Sequence, residues 1–271
     1  MPLDKAQLKD QFEEMQAAAP GTKFFVVDTK HTKSGVGPFN DFFPKRKRVP
    51  WNPSISIYPG SFNPLHDTHK HVYRNTMCRL EFFELCINHL FKPSLTWEEL
   101  DGRVDQFKNV GRLVISNAPK IIHKLSLYST LRVDNSRLRY YSTGRKQTYT
   151  DISTNLKIYM GSDSLDMWFQ TEDPLIINLT GKDIQVLDRK VDGKLLKAED
   201  ILEKQRTATG FLFSGIYCRG TEWTRESWRR SRDPQFQPKL LEISSTNIRK
   251  EQANVQNDSK EESDSPEAAT V

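Results

Sequence analysis

From residue 54 to about residue 250, short apolar runs alternate with stretches of helical spacing, and this alternation constrains the fold more than any other feature of the chain. Ile55–Tyr58, Phe83–Ile87, Leu113–Ser116, Leu156–Met160, Ile184–Leu187, Phe211–Tyr217 and Leu240–Ile243 read as strands. Between them, His69, Val72, Thr76 and Leu80 share one helical face. Thr96-x-x-Glu99 is a capping box that opens a helix with Trp97, Leu100, Val104 and Phe107 on its apolar side. Further helices are expected over Lys120–Tyr128, over Leu165–Phe169, near Ala198–Lys204 and after Thr246. Such alternation implies an α/β fold with a parallel sheet covered by helices on both faces. In such sheets ligands bind at the carboxyl ends of the strands. Three polar loops occupy that position, 59–69, 161–164 and 244–249, and they are expected to converge on one crevice.

The flanks read differently. Residues 1–50 are taken as an N-terminal extension, packed on or linked to a main domain spanning 51–250. The extension holds a helix over 3–18, a short strand Phe24–Val27, and a Gly-, Pro- and aromatic-rich stretch from Gly35 to Pro53. Within the main domain, 131–155 is a polar, basic insertion with Arg137, Arg139, Tyr140, Tyr141, Arg145 and Lys146. Residues 251–271 have no Leu, Ile or aromatic, which predicts a disordered acidic tail. That tail holds six of the 35 acidic residues and one of the 40 basic ones, so the rest of the chain carries about +10 against +5 overall. A basic body suits anionic substrates such as ATP, and it would equally suit nucleic acid.

No apolar run approaches the roughly 20 residues needed to cross a bilayer, and charges interrupt the N-terminus where a secretory segment would be apolar. Three scattered cysteines give no disulfide framework. Cys78 and Cys86 are expected to be buried thiols, and a cytoplasmic location is the expectation. Lys45 to Arg48 can be read as a nuclear-import segment, a solvated basic face or a flank of a polyphosphate cleft.

The loop Gly60 to His69, GSFNPLHDTH, joins the first strand of the alternation to its first helix. Gly60 is expected to let the backbone approach an anion, and Asn63-Pro64 to fix the turn. The helix beyond it then aims free N–H groups at the anion. His66 and His69 add donors that can become cationic as negative charge builds up. Near the end of the domain, Ile243-Ser244-Ser245-Thr246-Asn247-Ile248-Arg249 places three hydroxyls and an arginine at another helix start. Taken alone, it is either a phosphate cradle or a plain serine N-cap followed by a surface arginine.

Together, GSFNPLHDTH and ISSTNIR resemble the signature pair of the nucleotidylyltransferase superfamily. The GSFNP version, with Gly161-Ser162-Asp163 after a middle strand, is similar to that of nicotinamide/nicotinate-mononucleotide adenylyltransferases. Phe83 to Pro93, FELCINHLFKP, also resembles an adenylyltransferase-like FELSxxNxxKP pattern, with Asn88 one place early. The resemblance implies a Rossmann-like domain over residues 54–250 that transfers AMP from ATP to a mononucleotide, making a dinucleotide for NAD biosynthesis and releasing pyrophosphate with Mg²⁺ bound. It assigns His69 to the α-phosphate and His66 to the triphosphate. Ser244, Ser245, Thr246 and Arg249 map onto ATP phosphate contacts, and Gly60, Ser61, Phe62 and Asn63 onto the loop between the two substrates. Gly161 and Asp163 map onto a nucleoside-binding turn, and Arg219 resembles a ligand-facing arginine.

One departure stands out: Thr68 occupies the position of a motif glycine. Either its hydroxyl becomes another donor, or it crowds ATP and weakens activity. The alternatives are therefore nucleotidyl transfer to another phosphorylated metabolite, or a catalytically silent ATP-binding regulatory protein. His66-x-x-His69-x-His71 lacks an accompanying Cys or Glu at helical spacing, so phosphate rather than metal is expected there. For 131–155 an ordinary charged insertion is preferred to a nucleic-acid contact. His31, His89 and His123 are expected to be structural or surface residues, and Trp97 and Trp168 core residues. The sequence carries no sign of oligomeric state, or of nicotinamide against nicotinate.

Overall fold

A computed structural model describes residues 3–29, 35–38, 54–75, 80–90, 92–129, 132–133, 152–153, 155–172, 183–191, 193–213 and 215–218. The elements in chain order are α1 (Lys5–Ala17), β1 (Phe24–Asp28), β2 (Gly35–Gly37), β3 (Ser54–Pro59), α2 (Asp67–Asn75), β4 (Leu80–Cys86), α3 (Trp97–Asp105), β5 (Arg112–Ser116) and α4 (Ile121–Ser129). They continue with β6 (Arg132–Val133), β7 (Ile152–Ser153), β8 (Asn155–Gly161), α5 (Ser162–Thr171), β9 (Asp183–Leu187), β10 (Arg189–Val191), β11 (Lys194–Leu196), α6 (Ala198–Thr209) and β12 (Ile216–Cys218).

Eight strands form one sheet in the order β12-β9-β8-β3-β4-β5-β1-β2. From β12 to β5 every neighbour is parallel, while β1 runs antiparallel to both β5 and β2. Among the parallel strands, chain order runs outward from β3 through β4 and β5 on one side, and through β8, β9 and β12 on the other. This is the doubly wound Rossmann-like arrangement, and its strand order reverses between β3 and β8.

Strand side chains alternate between two buried layers, as a period of two requires. Ile55, Ile57, Phe82, Val114 and Ile158 face a core shared with Leu125 of α4, Leu165 of α5 and Ile201 of α6. Tyr58, Phe83, Leu113 and Ile115 face the other core, with Leu8 and Phe12 of α1, Val72 of α2 and Leu100 of α3. Near-continuous apolar strands are what a sheet covered on both faces needs.

The N-terminal region is built into this sheet. β1 pairs with β5 from Phe24↔Ser116 to Asp28↔Arg112. The Asn117 side chain holds the α1–β1 connection: its Oδ1 accepts from Thr22 N (3.1 Å) and Lys23 N (3.0 Å), and its Nδ2 donates to Ala19 O (2.9 Å). Asp4 caps α1, and Lys5 bridges to Asp101 and, at 2.9 Å, to Asp105 of α3.

Several elements differ from the sequence expectation. Leu80 opens β4 instead of closing the α2 face, because α2 ends at Asn75. The strand expected over Phe211–Tyr217 is only Ile216–Cys218, and Phe211–Phe213 lie outside it. The β10–β11 hairpin, turning at Gly193 with φ +79°, was not foreseen, since its strands carry no apolar run. In the 131–155 segment β6 pairs with β7, and 134–151 lie outside the described residues. So do Lys45–Arg48, the Leu240–Ile243 strand and the 251–271 tail.

Candidate functional site

The loop leaving β3 is held from three sides. Gly60 N donates to the Glu84 carbonyl (3.0 Å), tying the loop to β4. Arg103 of α3 donates through Nη1 to Ser61 O (3.1 Å), and Leu65 N donates to Gln106 Oε1 (2.6 Å). Phe62 is fully buried with φ +45°, a left-handed backbone that a bulky residue adopts only under strong constraint. The constraint is aromatic packing: its ring meets those of His69 (5.0 Å), Phe107 (5.2 Å) and Phe83 (5.3 Å) edge-on. A Cβ on Gly60 would lie 2.7 Å from the Phe62 ring. The glycine expected to admit an anion is thus required by Phe62. The Asn63–Pro64 bond is cis.

Behind this loop His66 and His69, in and just before the first turn of α2, stack at 3.6 Å and are only 6% and 7% exposed. The His66 backbone N–H donates to His69 Nδ1 (3.3 Å), which assigns the proton of a neutral His69 ring to Nε2. Neither ring nitrogen of His66 has a hydrogen-bond partner among the described residues. Burial, and then the positive charge of Arg189, lowers the His66 pKa to about 4. Burial, then His66 and Arg189, lowers that of His69 to about 2. The pair is therefore neutral at physiological pH, not cationic.

Arg189 opens β10, reached from the end of β9. Its Nε lies 4.0 Å from Asp163 Oδ1, and its backbone N–H donates to Ser162 Oγ (3.0 Å). Gly161 makes room for this arrangement. A Cβ there would collide with Asp163 Oδ1 and lie 2.8 Å from Arg189 Cγ. A guanidinium next to two neutral imidazoles, with free helix N–H groups nearby, is a set of donors and charge suited to phosphate oxygens.

On the other side of the loop lies a cleft of about 640 Å³. Gly60, Ser61 and Asn63 line it, with Glu84 of β4, Lys124 of α4 and Trp168 of α5. It opens at the carboxyl ends of β3 and β8, where the strand order reverses and where ligands bind in sheets of this type. His66 and His69 are not among its lining residues.

No family model matches the chain. Over 112 residues it is 30% identical to the phosphopantetheine adenylyltransferase of Mycoplasma capricolum subsp. capricolum, a match covering 41% of this chain and 77% of that protein. The chain belongs to the nucleotidylyltransferase superfamily. Two solved structures of Plasmodium falciparum nicotinic acid mononucleotide adenylyltransferase, complexed with NaAD and with APC, align with 73% of the chain at 18% identity. The alignments cover 82% and 83% of those chains, with TM-scores of 0.37 and 0.35.

In this nucleotidylyltransferase, then, the fold brings together His66, His69, Gly60, Ser61, Phe62, Asn63, Gly161 and Asp163. Thr68 and His71 lie in α2, but their side chains are outside the described residues, as are Arg219, Ser244, Ser245, Thr246 and Arg249 entirely. Sequence reasoning missed Arg189: a single arginine after a strand carries no motif. It also gave no functional place to Trp168 or His89, which both line the cleft, or to Lys124. Cys86 is half-buried at the cleft wall instead of fully buried, and Cys78 is outside the described residues.

Proposed function

We propose that this chain transfers AMP from ATP to nicotinamide or nicotinate mononucleotide, releasing pyrophosphate and forming a dinucleotide. The observation that carries this reading is the neutral, stacked His66–His69 pair beside Arg189, separated by one loop from a cleft large enough for a second substrate. The acceptor's phosphate oxygen attacks the α-phosphorus of ATP as the bond to the β-phosphate oxygen breaks, and no protein nucleophile takes part. His69 donates through Nε2 to an α-phosphate oxygen, and His66 binds the triphosphate. Arg189 leaves Asp163 to neutralise phosphate charge, and Asp163 then accepts from a ribose hydroxyl. The charge of the triphosphate raises both histidine pKa values, so the pair becomes more cationic as the transition state forms. Mg²⁺ arrives with ATP as part of that substrate. Among the described residues no group of three or more His, Cys, Asp or Glu side chains is placed to hold a metal.

Two other readings have a specific basis. The Mycoplasma relative is named for phosphopantetheine, which makes that phosphorylated thiol an alternative acceptor. Thr68 in the place of the motif glycine favours a silent ATP-binding protein. A pyrophosphate-release assay with ATP, Mg²⁺ and each of the three acceptors separates them. Turnover with a mononucleotide supports the primary reading, and turnover with phosphopantetheine alone replaces it. A melting temperature raised by ATP without turnover supports the silent protein. The protein is expected to act in the cytoplasm, with Lys45–Arg48 as the segment to delete if it also enters the nucleus.

A further inference from the structure

The loop after β3 is clamped to one side of α3 at two points. Arg103 Nη1 donates to Ser61 O (3.1 Å), and Gln106 Oε1 accepts from Leu65 N (2.6 Å). Residues three apart lie on the same side of a helix, so a single element holds both ends of the 61–65 segment. Between those ends Phe62 packs its ring against His69, Phe83 and Phe107. Its neighbours Ser61 and Asn63 are exposed and half-buried respectively, and both line the cleft.

Arg103 is held as firmly as the loop it holds. Its side chain is 13% exposed and lines the cleft together with Glu99. Glu99 Oε2 accepts from Thr96 N (3.1 Å) as half of the capping box, while Glu99 Oε1 lies 3.8 Å from Arg103 Nη2. The cap that starts α3 therefore also fixes a carboxylate beside the guanidinium. A guanidinium is a rigid planar fork of donors, so it can face Glu99 with one nitrogen and hold a carbonyl with the other. The point charge of a lysine does not reproduce that geometry. A line of contacts thus runs from the start of α3 through Glu99 and Arg103 to Ser61, on the cleft side of the loop.

We propose that Arg103 is a positioning residue for the acceptor: acting through Ser61, it sets how Ser61 and Asn63 meet the mononucleotide in the cleft. This deepens the transfer reading above and rests on it. A misplacement of about 1 Å can cost about 100-fold in rate. Without the clamp, kcat/KM for the acceptor should fall about 10- to 100-fold. ATP, bound on the histidine side of the loop, should keep its KM within about twofold.

The test compares the full chain as wild type, Arg103→Met and Arg103→Lys. Methionine keeps an unbranched apolar stem but donates nothing, whereas lysine keeps a charged donor without the fork. Each substrate is varied in turn, with whichever of nicotinamide and nicotinate mononucleotide the wild type uses better. Melting curves are recorded for all three proteins, and calorimetry measures binding of both mononucleotides. Arg103→Met should lose acceptor kcat/KM while keeping the KM for ATP, and Arg103→Lys should recover part of the loss. A merely structural arginine would lower the melting temperature and leave the kinetics of the folded protein unchanged. That result, or an equal rise in KM for both substrates, overturns the positioning role and leaves the transfer reading intact. If the wild type binds a mononucleotide without turnover, and Arg103→Met binds it at least about tenfold more weakly, the transfer reading falls and the positioning role stands. Absence of both turnover and binding in the wild type overturns both.

Discussion

His66 and His69 illustrate how a residue's chemistry is set by its surroundings. Their motif is legible in the sequence, but their protonation is not, because it depends on Phe62, Tyr58 and Arg189 closing around them. Both folded pKa values lie below the unfolded value near 6.5. The unfolded chain therefore binds protons first, and the stability present above pH 6.5 is lost as the pH falls from there, down to about 4 for His66 and about 2 for His69. By pH 5 the loss is about 2 kcal/mol for each histidine. The melting temperature in the absence of nucleotide should be level from pH 8 to 7 and fall below 6.5. His66→Gln/His69→Gln should flatten that fall, and an unchanged slope would mean the rings are already solvated. Gly60 makes a second residue-scale prediction. In Gly60→Ala the new methyl meets the Phe62 ring, so about 1–3 kcal/mol of stability should be lost in urea melts, together with turnover. A stable and fully active Gly60→Ala protein would contradict the packing argument.

At the scale of elements, the strands and helices of the main domain were readable wherever apolar periodicity was strong. Thr96-x-x-Glu99 is the clearest case: both bonds of its capping box are present. Periodicity failed where the decisive contact is distant in sequence. Leu80 fits the α2 face by spacing but enters β4, where its backbone pairs in register with Ile55 of β3. Nothing in residues 1–38 announces that β1 will pair with β5 some 88 residues later (Phe24↔Ser116 to Asp28↔Arg112). Asn117 is the joint of that pairing, buried and bonded to the backbone of the α1–β1 connection. Asn117→Ala leaves two backbone N–H groups without their acceptor and should cost about 2–4 kcal/mol, read as a lower urea midpoint. A midpoint within error of wild type would show that the N-terminal strand is only loosely attached.

At the scale of the whole molecule, the reversal of strand order between β3 and β8 puts two different surfaces at one end of the sheet. One carries His66, His69 and Arg189, and the other is the Glu84–Lys124 cleft, with the 60–63 loop between them. The first surface was legible as a motif except for Arg189, which is brought in by the end of β9 and has no local signature. The second was legible only as a strand resembling FELSxxNxxKP, since the partner of Glu84 comes from α4, 40 residues away. The central claim is that this end of the sheet moves an adenylyl group. Its most direct test follows ATP labelled in the α-phosphate, with Mg²⁺ and nicotinamide mononucleotide, in wild-type and His69→Ala protein. The account predicts label in a dinucleotide, formed at least about 100-fold more slowly by His69→Ala. Label that never leaves ATP in the wild type, or that transfers as fast in His69→Ala, would contradict it.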